Sequence, residues 1–474
     1  MESPIDTLLK DPMCTLEKLM DVEDFSREMK TNAKLIEYCS TPQRLQSIIQ
    51  YSLCDIPSSQ TRESVLKYHY ICSSLFSDEV SHIIDPIAQS TDIVRYLFDS
   101  LNTPNVTKMS NAAVILSSAI SVDNSFVLEY LNTNDDVITI LITHLEVDGV
   151  LELLLEAIKL EDINKNGTID QVCRLGLIEA LFKTLQSHPS LDALDNITAF
   201  VHNLVIWKIS NSDSYTSKFV TKINESPELN QFVHFAFTTQ DDFVAAQCLQ
   251  IISNILACST VLTYKDQVTL PGIYVALIQH LSQFEEIFVK RKIGTLTNNL
   301  VYIVLSLVLS GYDKVHEEIT RQTVLKSMIA VFYGAHSSTV VRQTVQITVA
   351  SILSSGTTCL KVNLLDGGNL LDLMVQKDKE ALEEKEKKNI APDYWLIGEK
   401  MMIGFYHFIE DKDEQNEVKE IIEKNAEFVN YMKNVVMVRE DYKSGYFGKI
   451  AQGEEFTDEI DFDDGFEEFE EDEE

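Results

Sequence analysis

The chain is poor in the residues that build tight-turned sheets. Its 474 residues include 16 glycines, 10 prolines and 2 tryptophans, too few turn formers for an architecture of many short strands joined by hairpins. Positive charge is scarce as well: 39 Lys and Arg stand against 74 Asp and Glu, a net charge of −35. Residues 453–474 hold 14 of those acids and no Lys or Arg, yet the remainder still carries 60 acidic residues against 39 basic ones. A surface of this sign repels nucleic-acid backbones and anionic membranes, so neither is expected as a partner. The one basic triplet, Lys290-Arg291-Lys292, reads as a solvated helix face.

Cysteine is present but unorganised. Cys14, Cys39, Cys54, Cys72, Cys173, Cys248, Cys258 and Cys359 form no CxxC pair and no Cys–His cluster of zinc-ligand spacing. Several lie in apolar helical runs, where a free thiol acts as a small hydrophobe, and this favours a reducing compartment. The N-terminus lacks the basic-then-apolar pattern of a signal peptide. The longest apolar run, Leu300–Leu309, is far short of the ~20 residues a bilayer-crossing helix needs. The expectation is a soluble cytoplasmic protein, with the nucleus also open to it.

Catalytic signatures are missing too. No GxxxxGK[ST], HExxH, GxSxG or GxGxxG occurs, and the ten histidines are dispersed. Acidic pairs such as Asp241-Asp242 and Asp463-Asp464 are common in so acidic a chain and read as solvated faces or helix starts. No enzyme and no cofactor is expected.

What the chain does contain is a repeated helical phrase. VITILITHL begins at Val137, LIEALFKTL at Leu177, LNQFVHFAF at Leu229, IYVALIQHL at Ile273 and VLKSMIAVF at Val324, with starts 40, 52, 44 and 51 residues apart. Each puts large apolar residues at i, i+4 and i+8, one face of a helix. Between them lie more apolar helices: GVLELLLEAI, AAQCLQIISNIL, LTNNLVYIVLSLVL and VRQTVQITVASIL. Two or three helices every ~40–50 residues is the period of HEAT and armadillo arrays. One unit cannot bury its apolar face alone, but stacked units can. The fold class is therefore all-α, a HEAT/armadillo-like helical-repeat solenoid over residues 1–452. A charged insert or exposed helix is expected at about 376–392, and a disordered acidic tail at 453–474, where four phenylalanines are spaced among acids. Three readings of that tail are open: a solubilising end, which is preferred, an acidic-aromatic docking peptide, and a competitor for a basic groove. His144 and His280 occupy matching slots in two phrases and are expected to share a packing position.

Residues 162–173, DINKNGTIDQVC, copy a calcium-binding loop at its first, third, fifth, sixth, eighth and ninth positions, offering Asp162, Asn164, Asn166, Thr168 and Asp170. Position 12 should be a bidentate Glu and is Cys173, leaving the coordination shell two oxygens short. A polar turn between two helices, with Asn-Gly supplying the left-handed backbone, is the preferred reading. A calcium-responsive binder is the alternative.

The first fifty residues form short amphipathic helices. Thr15 before LEK and Asp24 before FSRE are candidate N-caps, and Thr41-Pro42 ends one helix and opens the next. Here polar and apolar positions together resemble the SAPS family, regulatory subunits of type-6 Ser/Thr protein phosphatases. The shared positions are Leu8 and Leu9; Leu16, Leu19, Asp21, Glu23 and Asp24; and Glu28, Lys30, Asn32, Leu35 and Ile36. Lys67-Tyr68 with Ile71, Leu75 and Val80 is similar to the family's Lys-Tyr-Pro helix, with His69 and Ser74 in place of its Pro and Glu. Asp135, Asp136 and His144 fall in register with an Asp-Asp…His segment of that family, and GYFGKIAQ (445–452) resembles its Gly-Tyr block. The resemblance implies a non-catalytic subunit that binds a type-6, Sit-four-like catalytic subunit and directs substrate choice, with substrate or scaffold proteins as further partners. The phosphatase metal-ligand motifs are absent from this chain, so the chemistry would belong to the partner. The resemblance singles out Asp21, Asp24, Lys30, Asn32, Lys67, Tyr68, Asp135, Asp136, His144 and Tyr446 as partner-binding residues. A general armadillo-type adaptor without a phosphatase partner is the other reading of the same array.

Overall fold

The computed structural model of the chain describes residues 3–55, 61–77, 80–122, 125–164, 167–187, 189–211, 218–261, 270–291, 294–334, 337–355, 357–366, 370–410 and 417–440. All regular structure among them is helical. The chain divides into two compact units, Met1–Gly367 and Gly368–Glu474.

The first unit is an armadillo-like array in which each repeat has three helices. The third position of successive repeats is filled by Val106–Val122, Asp148–Asn164, Leu191–Asn211, Asp242–Val261, Gly294–Leu309 and Thr339–Ser355, and each packs on the next. The apolar phrases that lie between the repeated ones in the sequence supply this row. Being apolar on most faces, these helices are buried on most faces: in Gly294–Leu309, Leu296, Leu300, Ile303, Val304 and Leu307 are wholly buried. Asp135–Thr143, Leu177–Gln186, Glu228–Thr238, Leu281–Lys290 and Val324–Phe332 take the second position. Ser125–Thr133, Thr168–Arg174, Lys218–Glu225, Gly272–Ile278 and Asp313–Thr320 take the first.

This assignment corrects the phrase alignment. VITILITHL, LIEALFKTL, LNQFVHFAF and VLKSMIAVF are second-position helices, but IYVALIQHL is a first-position helix. The i, i+4, i+8 pattern is common to any helix buried along one face, so it cannot tell two rows apart. His144 and His280 are consequently not equivalent. His144 ends the Asp135–Thr143 helix and is partly exposed, its Nδ1 3.2 Å from Glu146. His280 begins the Leu281–Lys290 helix, is buried, and stacks on Phe237 at 5.6 Å.

Repeats are joined by rungs of amide and backbone groups. Asn111 donates to the Ser52 carbonyl at 2.7 Å, Asn299 to Ala246 at 2.8 Å, and Asn363 to Thr320 at 3.0 Å. Asn224 accepts from the Ile273 N–H at 3.0 Å. Each rung spans about one repeat of sequence and satisfies a backbone group that packing would otherwise leave buried and unpaired. Beside the last rung Gly272 sits so close that a Cβ would overlap the Asn224 carbonyl oxygen. Gly272→Ala is expected to cost about 1–3 kcal/mol, the range for overpacking a tight contact, read as a lower urea midpoint with unchanged slope.

Among the described residues, Asp242–Ser259, rather than Leu300–Leu309, is the stretch long and apolar enough by composition to cross a bilayer, and 61% of it is buried within the helical stack. All eight cysteines are free. Burial pushes the Cys39 and Cys248 thiols up to about 12, which suits packing and not nucleophilic chemistry.

His316 is a buried polar joint of the array, with Nε2 2.9 Å from the Val308 carbonyl and Nδ1 3.2 Å from Thr357 Oγ1. Burial holds its pKa, and that of His280, below the ordinary histidine value. The unfolded chain therefore takes up these protons first. Stability is expected to fall as pH drops below about 6.5, the unfolded value, towards the lower folded values. Melting scans from pH 7.5 to 5 on the wild type and on a His316→Gln, His280→Gln double variant check this: the double variant should lose much of that slope.

The second unit is built from Leu370–Lys388, Trp395–Glu410, Glu417–Lys424 and Ala426–Tyr431, the last running into one wide turn, Met432–Val436. The charged stretch from 376 continues the first of these helices to Lys388, with Asp378 and Ala381 buried. Asn389 in the left-handed region (φ 56°) closes it. The expected tail, 453–474, lies outside the described residues.

Candidate partner-binding surface

The N-terminal helices are held by short-range caps. Ser3 Oγ accepts from Asp6 N, and Thr15 accepts from Lys18 N. Asn32 accepts from the N–H groups of Lys34 and Leu35 and donates from Nδ2 to Glu28 at 2.7 Å. Thr41-Pro42 opens the Pro42–Ser52 helix with Pro in its first turn. Asp24 does not cap: its backbone is not extended, its side chain takes no cap bond, and it pairs with exposed Arg27 at 3.2 Å. An N-cap needs an extended backbone to turn its side chain over the helix end, and the short turn before Phe25 does not supply it.

Three of the candidate residues meet. Lys67 Nζ lies 2.7 Å from Asp21 Oδ1, and the Tyr68 hydroxyl donates to the same oxygen at 3.3 Å, across 46 and 47 residues of chain. Tyr68 is buried and its ring meets Tyr51 edge-on at 5.4 Å. Tyr51 in turn donates to Glu17 at 2.5 Å, one helical turn before Asp21. Glu17 and Tyr51 complete the cluster and were not among the residues the sequence singled out; the i, i+4 spacing of Glu17 and Asp21 was the available signal. Burial works to raise the Glu17 carboxyl, but the Tyr51 bond and its companions outweigh it and leave the group below the usual carboxylate range. Burial, then the Asp21 charge, push the Tyr68 phenol up. The arrangement is a buried aromatic pair with two acids and one ammonium at its rim. The side chains of Asp21 and Lys67 are 54% and 49% exposed, so the pair is open to a partner. Lys30 is exposed at the end of the Phe25–Glu28 turn.

Of the mid-chain candidates, Asp135 serves the array. Both carboxylate oxygens of Asp135 accept from Arg174 Nη2 (2.8 and 2.9 Å), and one also accepts from Gln171 (3.0 Å); both donors lie in the next repeat. The Arg174 bond holds its carboxyl below the ordinary value. Asp136 is exposed in the same first turn. Tyr446 and the Gly-Tyr block lie outside the described residues.

The loop at 162–173 is not shaped as a calcium site over its described part. The backbone is helical through Asn164, where the first loop positions would stand. Thr168 is buried with its hydroxyl 3.1 Å from Asn132, and Asp170 is paired with Lys218 at 2.7 Å and Lys222 at 3.6 Å. Gly167 adopts the left-handed conformation (φ 86°) and opens the Thr168–Arg174 helix, as the turn reading requires. The side chains of Asp162, Asn164 and Asn166 lie outside the described residues. Among the described residues, no group of three or more His, Cys, Asp or Glu is placed to hold a metal. The basic triplet is neutralised where it is described: Lys290 pairs with Glu286, and Arg291 with Asp242.

The sequence is similar to several characterised proteins. Serine/threonine-protein phosphatase 6 regulatory subunit 3-A of Xenopus laevis is 29% identical over 157 residues, covering 32% of this chain and 18% of that protein. Regulatory subunit 1 of the same phosphatase in Homo sapiens is 22% identical over 237 residues, 49% of this chain and 26% of that protein. Extragenic suppressor of kinetochore protein 1 of Schizosaccharomyces pombe is 24% identical over 204 residues, 40% of this chain and 24% of that protein. The matched region is thus a quarter or less of most of these relatives' own length. No protein-family model matches the chain. Among solved structures, SYS-1 is 11% identical with a TM-score of 0.41, over 87% of this chain and 78% of that one. The resemblance in the opening residues and the curated homologues point the same way, to phosphatase 6 regulatory subunits of the SAPS-domain group.

Proposed function

We propose that the chain is a non-catalytic regulatory subunit: it binds a type-6, Sit-four-like Ser/Thr protein phosphatase catalytic subunit and helps select its substrates. One observation carries the reading. Two separated stretches that resemble the regulatory subunits, around Asp21 and around Lys67-Tyr68, fold onto a single half-exposed cluster. A charged pair over a buried aromatic base resembles the anchor-and-rim composition of protein interfaces. The stacked repeats support the reading, since such arrays present long surfaces on which an enzyme and a second protein bind side by side. The chain itself supplies no catalytic chemistry in this proposal, and it acts in the cytoplasm.

Affinity purification of the tagged chain from its native cells, with partners identified by mass spectrometry, tests this. A phosphatase catalytic subunit should co-purify with the wild type. Its yield should fall about tenfold, equivalent to 1.4 kcal/mol, with Asp21→Lys or Lys67→Glu, while the melting temperature stays within a degree or so, as for most exposed substitutions. Absence of any phosphatase from the wild-type purification would sink the proposal. A variant that binds less and melts lower would move the cluster from the interface to the fold.

A further inference from the structure

We infer that Cys359 is a site of reversible thiol modification, which exchanges with small disulfides assisted by a hydroxyl–imidazole relay through Thr357 to His316. This inference goes beyond the phosphatase reading and does not depend on it.

The first observation is selective exposure. Of the eight thiols, Cys359 is the exposed one; Cys54 and Cys173 are half-buried, and Cys14, Cys39, Cys72, Cys248 and Cys258 are buried. A small reagent in water therefore meets Cys359 first. It is the second residue of the helix Thr358–Asp366. A thiolate at a helix start is favoured by the first-turn N–H groups and the positive end of the dipole.

The second observation is a chain of hydrogen bonds whose directions are fixed by the groups in it. His316 Nε2 lies 2.9 Å from the Val308 carbonyl. A carbonyl only accepts, so Nε2 carries the ring proton. Burial holds the His316 pKa below the ordinary value, so the ring is neutral near pH 7 and its Nδ1 accepts. Thr357 Oγ1, 3.2 Å from Nδ1, donates its one proton there. The same oxygen then accepts from Cys359, whose Sγ lies 3.0 Å away. The chain of donors runs from Cys359 through Thr357 and His316 to Val308. It starts at an exposed thiol and ends on a buried ring of the preceding repeat.

Together these define a reaction. When the thiol proton passes to Thr357 and the Thr357 proton passes to Nδ1, each of those two hydrogen bonds reverses direction and neither is lost. Burial opposes a charged ring, but the Asp313 charge favours it, and the thiolate formed in the same step is its counter-charge. The thiolate attacks one sulfur of a small disulfide. A new S–S bond forms to Cys359, the reagent's S–S bond breaks, and the departing thiolate takes up the proton that His316 held. Cys359 is oxidised and the reagent reduced by the same electron pair.

The test follows the intact chain reacting near pH 7 with dithiodipyridine, read as absorbance of the released thiopyridone. This disulfide is uncharged, so the acidic surface does not repel it. One equivalent should react in a fast phase, about tenfold faster than a thiol of the urea-unfolded chain, a modest share of what a positioned base can contribute. Cys359→Ser should remove that phase. Thr357→Val, which keeps the branched shape and deletes the hydroxyl, should slow it about tenfold, and Thr357→Ser should restore it. His316→Gln, which keeps an acceptor and deletes the base, should slow it as Thr357→Val does. A misfolded variant would release more than one equivalent quickly, so loss of fold and slower chemistry give opposite signatures. A fast phase that survives Cys359→Ser, a Thr357→Val rate equal to the wild type, no recovery in Thr357→Ser, or a native rate no greater than that of the unfolded thiols would each overturn the inference.

Discussion

Arg439→Ala is expected to destabilise the second unit by about 3–5 kcal/mol, the usual cost of leaving a buried carboxylate without its cation. Asp378 and Glu399 are both buried, and one guanidinium serves them: Arg439 Nη2 lies 2.8 Å from Asp378 and Nε 3.2 Å from Glu399. Asp378 also accepts from the Trp395 indole at 2.8 Å and from the Tyr431 hydroxyl at 2.7 Å. Burial, then the Asp378 bond and charge, push the Tyr431 phenol above its ordinary range. Three helices and the chain after the wide turn are thereby fixed to one carboxylate. Removing the arginine takes the guanidinium from two buried acids at once. Neutralising them in the same chain, with Asp378→Asn and Glu399→Gln, should recover part of the loss, because no unpaired charge then stays buried. Trp207 and Trp395 are the only tryptophans, so Trp395 emission in a Trp207→Phe background reports the cluster directly. Its unfolding midpoint in urea should drop in Arg439→Ala and move back in the triple variant. An unchanged midpoint in Arg439→Ala would show the ion cluster to be dispensable.

Phe232→Ala is expected to cost about 3–5 kcal/mol in the first unit, as for other fully buried aromatics. Phe232 is wholly buried and stacks on Phe182 of the preceding repeat at 4.4 Å, with the rings nearly parallel. The contact joins Leu177–Gln186 to Glu228–Thr238, so the cavity opens at a junction between repeats. In an array stabilised through neighbour contacts, such a loss is felt first on the two sides of the junction. Hydrogen exchange should therefore accelerate most in those two helices, and the Phe182→Ala, Phe232→Ala double variant should cost less than the sum of the single ones. Uniform loss of protection along the array would contradict this local coupling.

The array itself was legible in the sequence because its most buried helices are its most apolar. GVLELLLEAI, AAQCLQIISNIL, LTNNLVYIVLSLVL and VRQTVQITVASIL all lie in third-position helices. Row identity was not legible, since burial along one face leaves the same periodicity on first- and second-position helices, and IYVALIQHL was aligned with the wrong row for that reason. The cap at Thr15 and the helix boundary at Thr41-Pro42 follow the sequence, whereas the cap expected at Asp24 does not form, because backbone conformation, invisible in residue identity, decides there. The meeting of Asp21 with Lys67 and Tyr68 is a long-range contact that no local pattern encodes. The Asp378 cluster was hidden differently: it lies in a run of alternating charges that reads as solvated, and only tertiary packing buries one acid of that run against Trp395 and Arg439.

The most direct measurement of the central claim is reconstitution from purified components. The intact chain is mixed with a type-6 phosphatase catalytic subunit and run on size-exclusion chromatography with light scattering. The expected result is a stoichiometric complex, reduced by Asp21→Lys, with phosphatase activity that depends on the catalytic subunit and is absent from the chain alone. Separate elution of the two proteins at micromolar concentration, or phosphatase activity in the chain by itself, would contradict its assignment as a non-catalytic regulatory subunit.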